Sequence, residues 1–250
     1  MKIAIVATEG FEYSELTEPK KALTDAGFEA KVISPRSGQL RGWQKGDWAD
    51  SVEVDATLSD SDPGQFDALV LPGGTLNADH LRTDREALAF VKHFTSSGKP
   101  IAAICHGAWA LIEVDYVRSK KMTSVAAIKT DLINAGARWM DDEAVVDGNF
   151  VTSRTPDDLP AFNAAFIEVL KAPGVATTTN SGLAETTRHI IDARSIDELL
   201  TGEVPTGKQS RHAAAAVQEE KRGHQERSSK ARTRPANKPS KSQRNGKQRR

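Results

Sequence analysis

Cysteine is nearly absent: the 250 residues contain one, Cys105, so no intramolecular disulfide can form, and a lone thiol survives best in a reducing compartment. Long apolar runs are missing as well. No stretch approaches the roughly 18 residues that a membrane-spanning helix needs. The opening MKIAIVATEG enters a strand pattern directly instead of the charged-then-apolar pattern of an export signal. The expectation is a cytoplasmic protein with no membrane partner. Internal repeats and the P-loop, GxGxxG and HExxH patterns are also missing, and neither a cofactor nor a metal is expected.

The formal net charge is zero, but only because two regions cancel. Residues 1–204 hold 20 Lys/Arg against 31 Asp/Glu, whereas residues 205–250 hold 14 against 3. From 227 to 250 there are ten basic residues, no acid, two prolines and no aliphatic side chain larger than alanine. Such a segment has no apolar surface to offset the entropy of ordering, so residues 205–250 are expected to be a disordered basic tail. Without aromatics to stack on bases, any nucleic-acid binding by this tail would be electrostatic and non-specific, with the acidic domain as a competing partner. Residues 172–204 read as a linker, with one short amphipathic helix at 186–200.

Short β-branched apolar runs stand at 2–8, 31–34, 66–71 and 100–105, each followed by turn residues or by helical spacing. Strands alternating with helices imply a parallel sheet covered on both faces. Helices are expected over 17–26, 85–95, 108–117 and 126–135, with Pro19 kinking or starting the first. Trp43 and Trp48, set among glycines and charges, suggest a β excursion outside that sheet, and Asp147-Gly148 a hairpin. At 155–158 the sequence Thr-Pro-Asp-Asp reads as a helix start, with Thr155 as N-cap and Asp158 closing a capping box; the helix runs to about residue 170.

The chemistry concentrates at PIAAICHGAWA, residues 100–110. A buried strand delivers Cys105, then His106-Gly107, then a helix, which is the geometry of a nucleophile elbow. A thiol there lies at the positive end of a helix dipole, which favours thiolate, and glycine lets backbone N–H groups approach a developing oxyanion. The plain alternative is that Cys105 is a small core residue closing a strand and His106 a surface or capping histidine.

AAICHG at 102–107, ALVLPGG at 68–74, INAGARW at 133–139 and VTSRTPDDLPAFN at 151–163 occur in the order and spacing of the DJ-1/PfpI family, and the chain resembles its PfpI-like bacterial branch over about residues 1–171. The resemblance implies a flavodoxin-like three-layer α/β/α sandwich with a mostly parallel sheet, of the class I glutamine amidotransferase-like type, and a homo-oligomer, dimer or hexamer. It maps the family's nucleophile onto Cys105 and the adjacent histidine onto His106. The acid that touches the thiol maps onto Glu12, and the backbone oxyanion hole onto Gly74 and His106. The acid that reaches a neighbouring subunit's histidine maps onto Asp79. The sequence departs from the family pattern at Ala108, where proline is common, and at Val125, where archaeal members carry an aromatic. Glu12 has the alternative role of an early-helix carboxylate, and Asp79 that of a helix N-cap.

The resemblance implies a cysteine-nucleophile enzyme. It points to glyoxalase or deglycase chemistry on methylglyoxal-type carbonyl compounds in a stress response, or to an intracellular peptidase acting on peptides. A third reading is an oxidation sensor in which Cys105 forms a sulfinate without turnover.

Overall fold

A computed structural model of the protein describes residues 1–172; the expected helix at 186–200 and the basic tail at 205–250 lie outside the described residues. In chain order the strands are β1 (Lys2–Val6), β2 (Glu29–Ser34), β3 (Gln39–Gln44), β4 (Asp47–Glu53), β5 (Ala56–Thr57), β6 (Ala68–Leu71) and β7 (Ile101–Ile104). They continue with β8 (Lys121–Met122), β9 (Arg138–Trp139), β10 (Ala144–Asp147) and β11 (Phe150–Ser153). The helices are α1 (Tyr13–Asp25), α2 (Thr75–Leu81), α3 (Arg85–Ser97), α4 (Trp109–Glu113), α5 (Lys129–Asn134) and α6 (Leu159–Lys171).

Seven strands form one sheet in the order β10-β11-β7-β6-β1-β2-β5. All of its pairs are parallel except the β10–β11 hairpin, which turns at Gly148 with φ 65°. β6 and β7 are buried along their whole length because helices cover both faces, as parallel sheets require. Side chains alternate between the faces. Ile3, Ile5, Ala68, Val70, Ala102 and Ile104 pack with Leu16 and Leu23 of α1 and with Phe162, Phe166 and Leu170 of α6. Ala4, Val6, Leu69, Leu71, Ile101 and Ala103 pack on the other face with Phe90 and Phe94 of α3, Leu111 of α4 and Leu132 of α5. Each fully buried Phe or Leu contributes roughly 1.5–3 kcal/mol by leaving water. The result is the doubly covered parallel sheet that the alternation of elements implied, and the flavodoxin-like three-layer sandwich that the family resemblance implied.

The tryptophan segment forms the expected excursion. β3 and β4 make a separate hairpin in which Trp43 pairs with Trp48, their rings edge to face at 5.3 Å, and Lys45 and Gly46 both take positive φ at the turn. This hairpin docks on the loop after β1: Trp43 N–H donates to the Phe11 carbonyl at 2.7 Å and Gly10 N–H to that of Arg41 at 2.9 Å.

Three local expectations need correcting. Helix α1 begins at Tyr13, so Pro19 does not start it but lies inside it, where it removes the N–H that would bond the Glu15 carbonyl. The helix expected over 108–117 is a 3-10 turn, Cys105–Ala108, followed by the five residues of α4. The capping box at 155–158 forms only in part. Thr155 is the N-cap residue with Pro156 after it, but its side chain makes no cap hydrogen bond; the Asp158 carboxylate faces the backbone N–H of Thr155 and also takes Nε and Nη2 of Arg154 at 2.9 and 3.0 Å.

The chain leaves β1 toward β2 on one side, while β6 inserts on the other. That places a topological switch point between the carboxyl ends of β1 and β6, where open α/β sheets build their sites.

Candidate active site

Cys105 follows the last residue of β7 and takes φ 59°, left-handed backbone that costs a non-glycine residue on the order of 1–3 kcal/mol. Packing holds it there. The 3-10 turn Cys105–Ala108 presses so closely on the end of β6 that a Cβ on Gly107 would collide with the Leu71 carbonyl oxygen. Gly73, in the turn after β6, is equally constrained, since a Cβ there would lie 2.6 Å from Glu15 Oε2 and 2.7 Å from Cys105 Cβ. The thiol is thus presented at the switch point, only 9% exposed, with backbone N–H groups of His106 and Gly74 directed at its sulfur.

The acid beside the thiol is Glu15, not Glu12. Glu15 is fully buried; its Oε2 accepts the Gly73 N–H at 2.8 Å, its carboxyl faces the Cys105 side chain, and its Oε1 has no N–H or O–H partner. Burial, reinforced by the charge of Glu12, pushes its pKa up to about 8 against the opposing Gly73 hydrogen bond. Glu12 sits one turn earlier, as the N-cap residue of α1, and accepts from Ser14 Oγ at 3.3 Å; its own pKa is raised by burial. The family resemblance mapped this role onto Glu12; the folded chain gives it to Glu15. With α1 beginning at Tyr13, Glu15, Pro19 and Leu23 form an i, i+4, i+8 stripe on the buried face, and an acid in an apolar stripe is the signal that was available.

The tuning of the thiol also differs from expectation. Burial, and then the charge of Glu15, raise the Cys105 pKa, and the N–H groups of His106 and Gly74 oppose the rise. A five-residue α4 behind a 3-10 turn supplies little dipole to offset this. A negative charge on Glu15 thus opposes ionisation of the thiol beside it.

His106 Nδ1 lies 3.3 Å from Sγ, and burial lowers its pKa, which keeps the ring neutral near pH 7. Its ring meets Trp109 edge to face at 5.2 Å; Trp109 is fixed by donation from Nε1 to Asp131 at 2.9 Å and carries the Arg82 guanidinium 4.8 Å over its face. Among the described residues no carboxylate is hydrogen-bonded to His106. Gly74, at φ 88°, caps α2 and offers its N–H to Sγ. Asp79 is exposed on α2 and is not a helix cap. Val125 packs partly buried against both core clusters.

Among the described residues no cluster of three His, Cys, Asp or Glu side chains is placed to hold a metal ion, and no helix is long and apolar enough to cross a membrane. A cleft of about 380 Å³ opens beside the switch point between Thr8, Ser34, Arg36 and His80, but Cys105 does not line it.

A strained cysteine at a strand-to-turn junction, a buried acid against it and an adjacent histidine form one constellation, and the DJ-1/PfpI family profile matches residues 1–169. The chain belongs to the DJ-1/PfpI family. Protein/nucleic acid deglycase 2 of Escherichia coli K12 is 45% identical over 172 residues, which span 68% of this chain and 98% of that relative. The Bacillus subtilis protein named "Putative cysteine protease YraA" is 44% identical over 170 residues, 68% of this chain and 98% of its own. A solved Anabaena variabilis protein with DJ-1/ThiJ/PfpI-like and ferritin-like domains superposes with a TM-score of 0.64 at 37% identity, covering 74% of this chain and 52% of that one. This chain spans about half the length of that two-domain protein.

Proposed function

We propose that this DJ-1/PfpI protein is a cysteine-dependent enzyme acting on small reactive carbonyl compounds, with glyoxalase- or deglycase-like chemistry on methylglyoxal-type dicarbonyls and their adducts. One observation carries the reading: a single buried sulfur meets two backbone N–H donors, a carboxyl whose pKa is raised to about 8, and an imidazole at 3.3 Å. With its pKa raised to about 8, Glu15 keeps a carboxylate fraction near neutral pH that can take the thiol proton as sulfur attacks.

The steps balance without a cofactor. Cys105 sulfur bonds to the aldehyde carbon, its proton passes to Glu15, and the carbonyl π pair moves to oxygen, held by the N–H groups of Gly74 and His106. Protonation of that oxygen gives a hemithioacetal. Transfer of the C–H proton through Glu15 or His106 to the neighbouring carbonyl carbon, by way of an enediol, leaves a lactoyl thioester. One water then cleaves the S–C bond, releasing lactate and the thiol. The relative named protein/nucleic acid deglycase 2 supports this class of substrate.

A peptidase would use the same nucleophile and the same oxyanion donors on an acyl carbon, and the name of the Bacillus relative favours testing it. Self-association is part of the proposal. Asp79 is exposed and, among the described residues, no acid is hydrogen-bonded to His106, so a second copy's carboxylate would complete the site.

The test is lactate formation from methylglyoxal by wild type and Cys105→Ala, with peptide hydrolysis measured on the same samples. Turnover that disappears with the thiol is expected. Wild type that releases no lactate, or Cys105→Ala that keeps the wild-type rate, overturns the proposal.

A further inference from the structure

Asn77 is fully buried on α2, and a buried amide must find partners for two donors and two lone pairs. It finds all four. Nδ2 donates to the Pro72 and Gly73 carbonyls, each at 3.0 Å, while Oδ1 accepts from Thr8 N–H at 2.7 Å and from Thr8 Oγ1 at 3.3 Å. The network fixes which end of the amide is which, because only Oδ1 can receive the Thr8 N–H and only Nδ2 can serve two carbonyls. Asn77 thereby ties the end of β1 to the end of β6 across the switch point.

One of these bonds bears on the chemistry through the geometry of a single peptide group. The Gly73 carbonyl and the Gly74 N–H belong to the same planar trans peptide and point in opposite directions. The carbonyl is held by Asn77 Nδ2 at 3.0 Å and by Glu12 N–H at 3.2 Å; the N–H at the opposite edge is directed at Cys105 sulfur. With glycine on both sides, rotation of this peptide meets little steric resistance, so the torsions alone do not fix the direction of the N–H. Two hydrogen bonds on the carbonyl also polarise the N–H and strengthen it as a donor.

We propose that Asn77 is a positioning residue of the thiol site, which sets the orientation of the Gly74 N–H by clamping the carbonyl of the same peptide. It touches neither sulfur nor substrate. The inference deepens the proposed function and rests on it for the catalytic consequence, but its effect on the thiol is independent of any substrate.

The experiment uses full-length Asn77→Ala and the near-isosteric Asn77→Asp, which keeps the acceptor for Thr8 but cannot donate to the carbonyls. Folded protein is isolated by size exclusion and counted by total thiol. The first readout is the rate–pH profile of Cys105 alkylation by iodoacetamide; the second is kcat and KM with methylglyoxal. Loss of an oriented donor is expected to move the alkylation profile up by about half a unit or more. It is also expected to lower kcat about 10- to 100-fold per folded site, with KM changed less than about three-fold, because the donor acts on the developing oxyanion and not on the bound ground state. Folded variants with the wild-type alkylation profile overturn the proposal, as does failure of both variants to fold, since the clamp is then structural only. If wild type turns over no carbonyl substrate but the alkylation profile shifts, the proposed function falls and the positioning role stands.

Discussion

Glu15 and Cys105 come from opposite sides of the sheet's switch point and meet in a buried contact around Gly73, whose N–H bonds the carboxyl at 2.8 Å and whose missing side chain leaves room for both. Glu15 and Glu12 are three positions apart, yet only Glu15 lies against the thiol. The consequences can be measured.

Glu15→Gln should move the alkylation profile of Cys105 to lower pH, because it removes the neighbouring charge that, after burial, holds the thiol's pKa up. Glu12→Gln should leave the profile nearly in place, because the charge of Glu12 acts on Glu15 and its side chain bonds Ser14. A large shift from Glu12→Gln and none from Glu15→Gln would reverse the assignment.

Stability should carry the signature of the same acid. Glu15 is raised from 4.5 to about 8 in the folded protein, so between those values the folded state keeps a proton that the unfolded chain has lost. Its contribution therefore declines as pH rises from about 4.5 to about 8 and is constant beyond. Denaturant unfolding of wild type and Glu15→Gln at pH 5, 6.5 and 8 should show the variant gaining on wild type toward pH 8, by on the order of a few kcal/mol. A difference independent of pH would mean that Glu15 titrates as an ordinary carboxyl.

Replacing His106 by Ala should reduce methylglyoxal turnover by about two orders of magnitude, the usual worth of a positioned acid–base group. Cys105→Ser should fall further, because a hydroxyl is a poor nucleophile here. Peroxide oxidation of Cys105 needs no such proton shuttle and should follow Glu15 more than His106. Wild type that forms a stable sulfinate but turns over neither dicarbonyl nor peptide would replace the enzymatic reading with a sensing one.

Gly107→Ala should be among the most damaging substitutions. Its Cβ would enter the Leu71 carbonyl, and only a backbone shift at the end of β6 or in the cysteine turn could relieve the clash. The expected outcome is a loss of several kcal/mol, read as a large drop in thermal midpoint or as insoluble protein. A variant with an unchanged midpoint and normal Cys105 reactivity would show that this contact does not hold the turn.

Much of this molecule is written locally. The apolar runs at 2–8, 66–71 and 100–105 become central parallel strands because only a doubly covered sheet can bury both of their faces, and the turn Cys105-His106-Gly107 follows from a strand that stops at a glycine-relieved corner. The tryptophan excursion and the Asp147-Gly148 hairpin were legible for the same reason: turn chemistry acts over a few residues. The partner of the thiol was not decided locally. Glu12 and Glu15 stand in the same short segment, and only the start of α1 at Tyr13, together with the approach of the Gly73 turn, selects which carboxyl is buried against sulfur. The direction of the thiol's pKa was likewise a tertiary outcome. Sequence order suggests a helix dipole behind Cys105, but the folded chain surrounds the thiol with a 3-10 turn and a buried acid, and desolvation outweighs the donors. Residue order, then, determined the sheet and the site of the nucleophile, because hydrophobic periodicity and turn geometry act at short range. The pairing of β1 with β6 decided the electrostatics, because burial and charge depend on which distant segments meet.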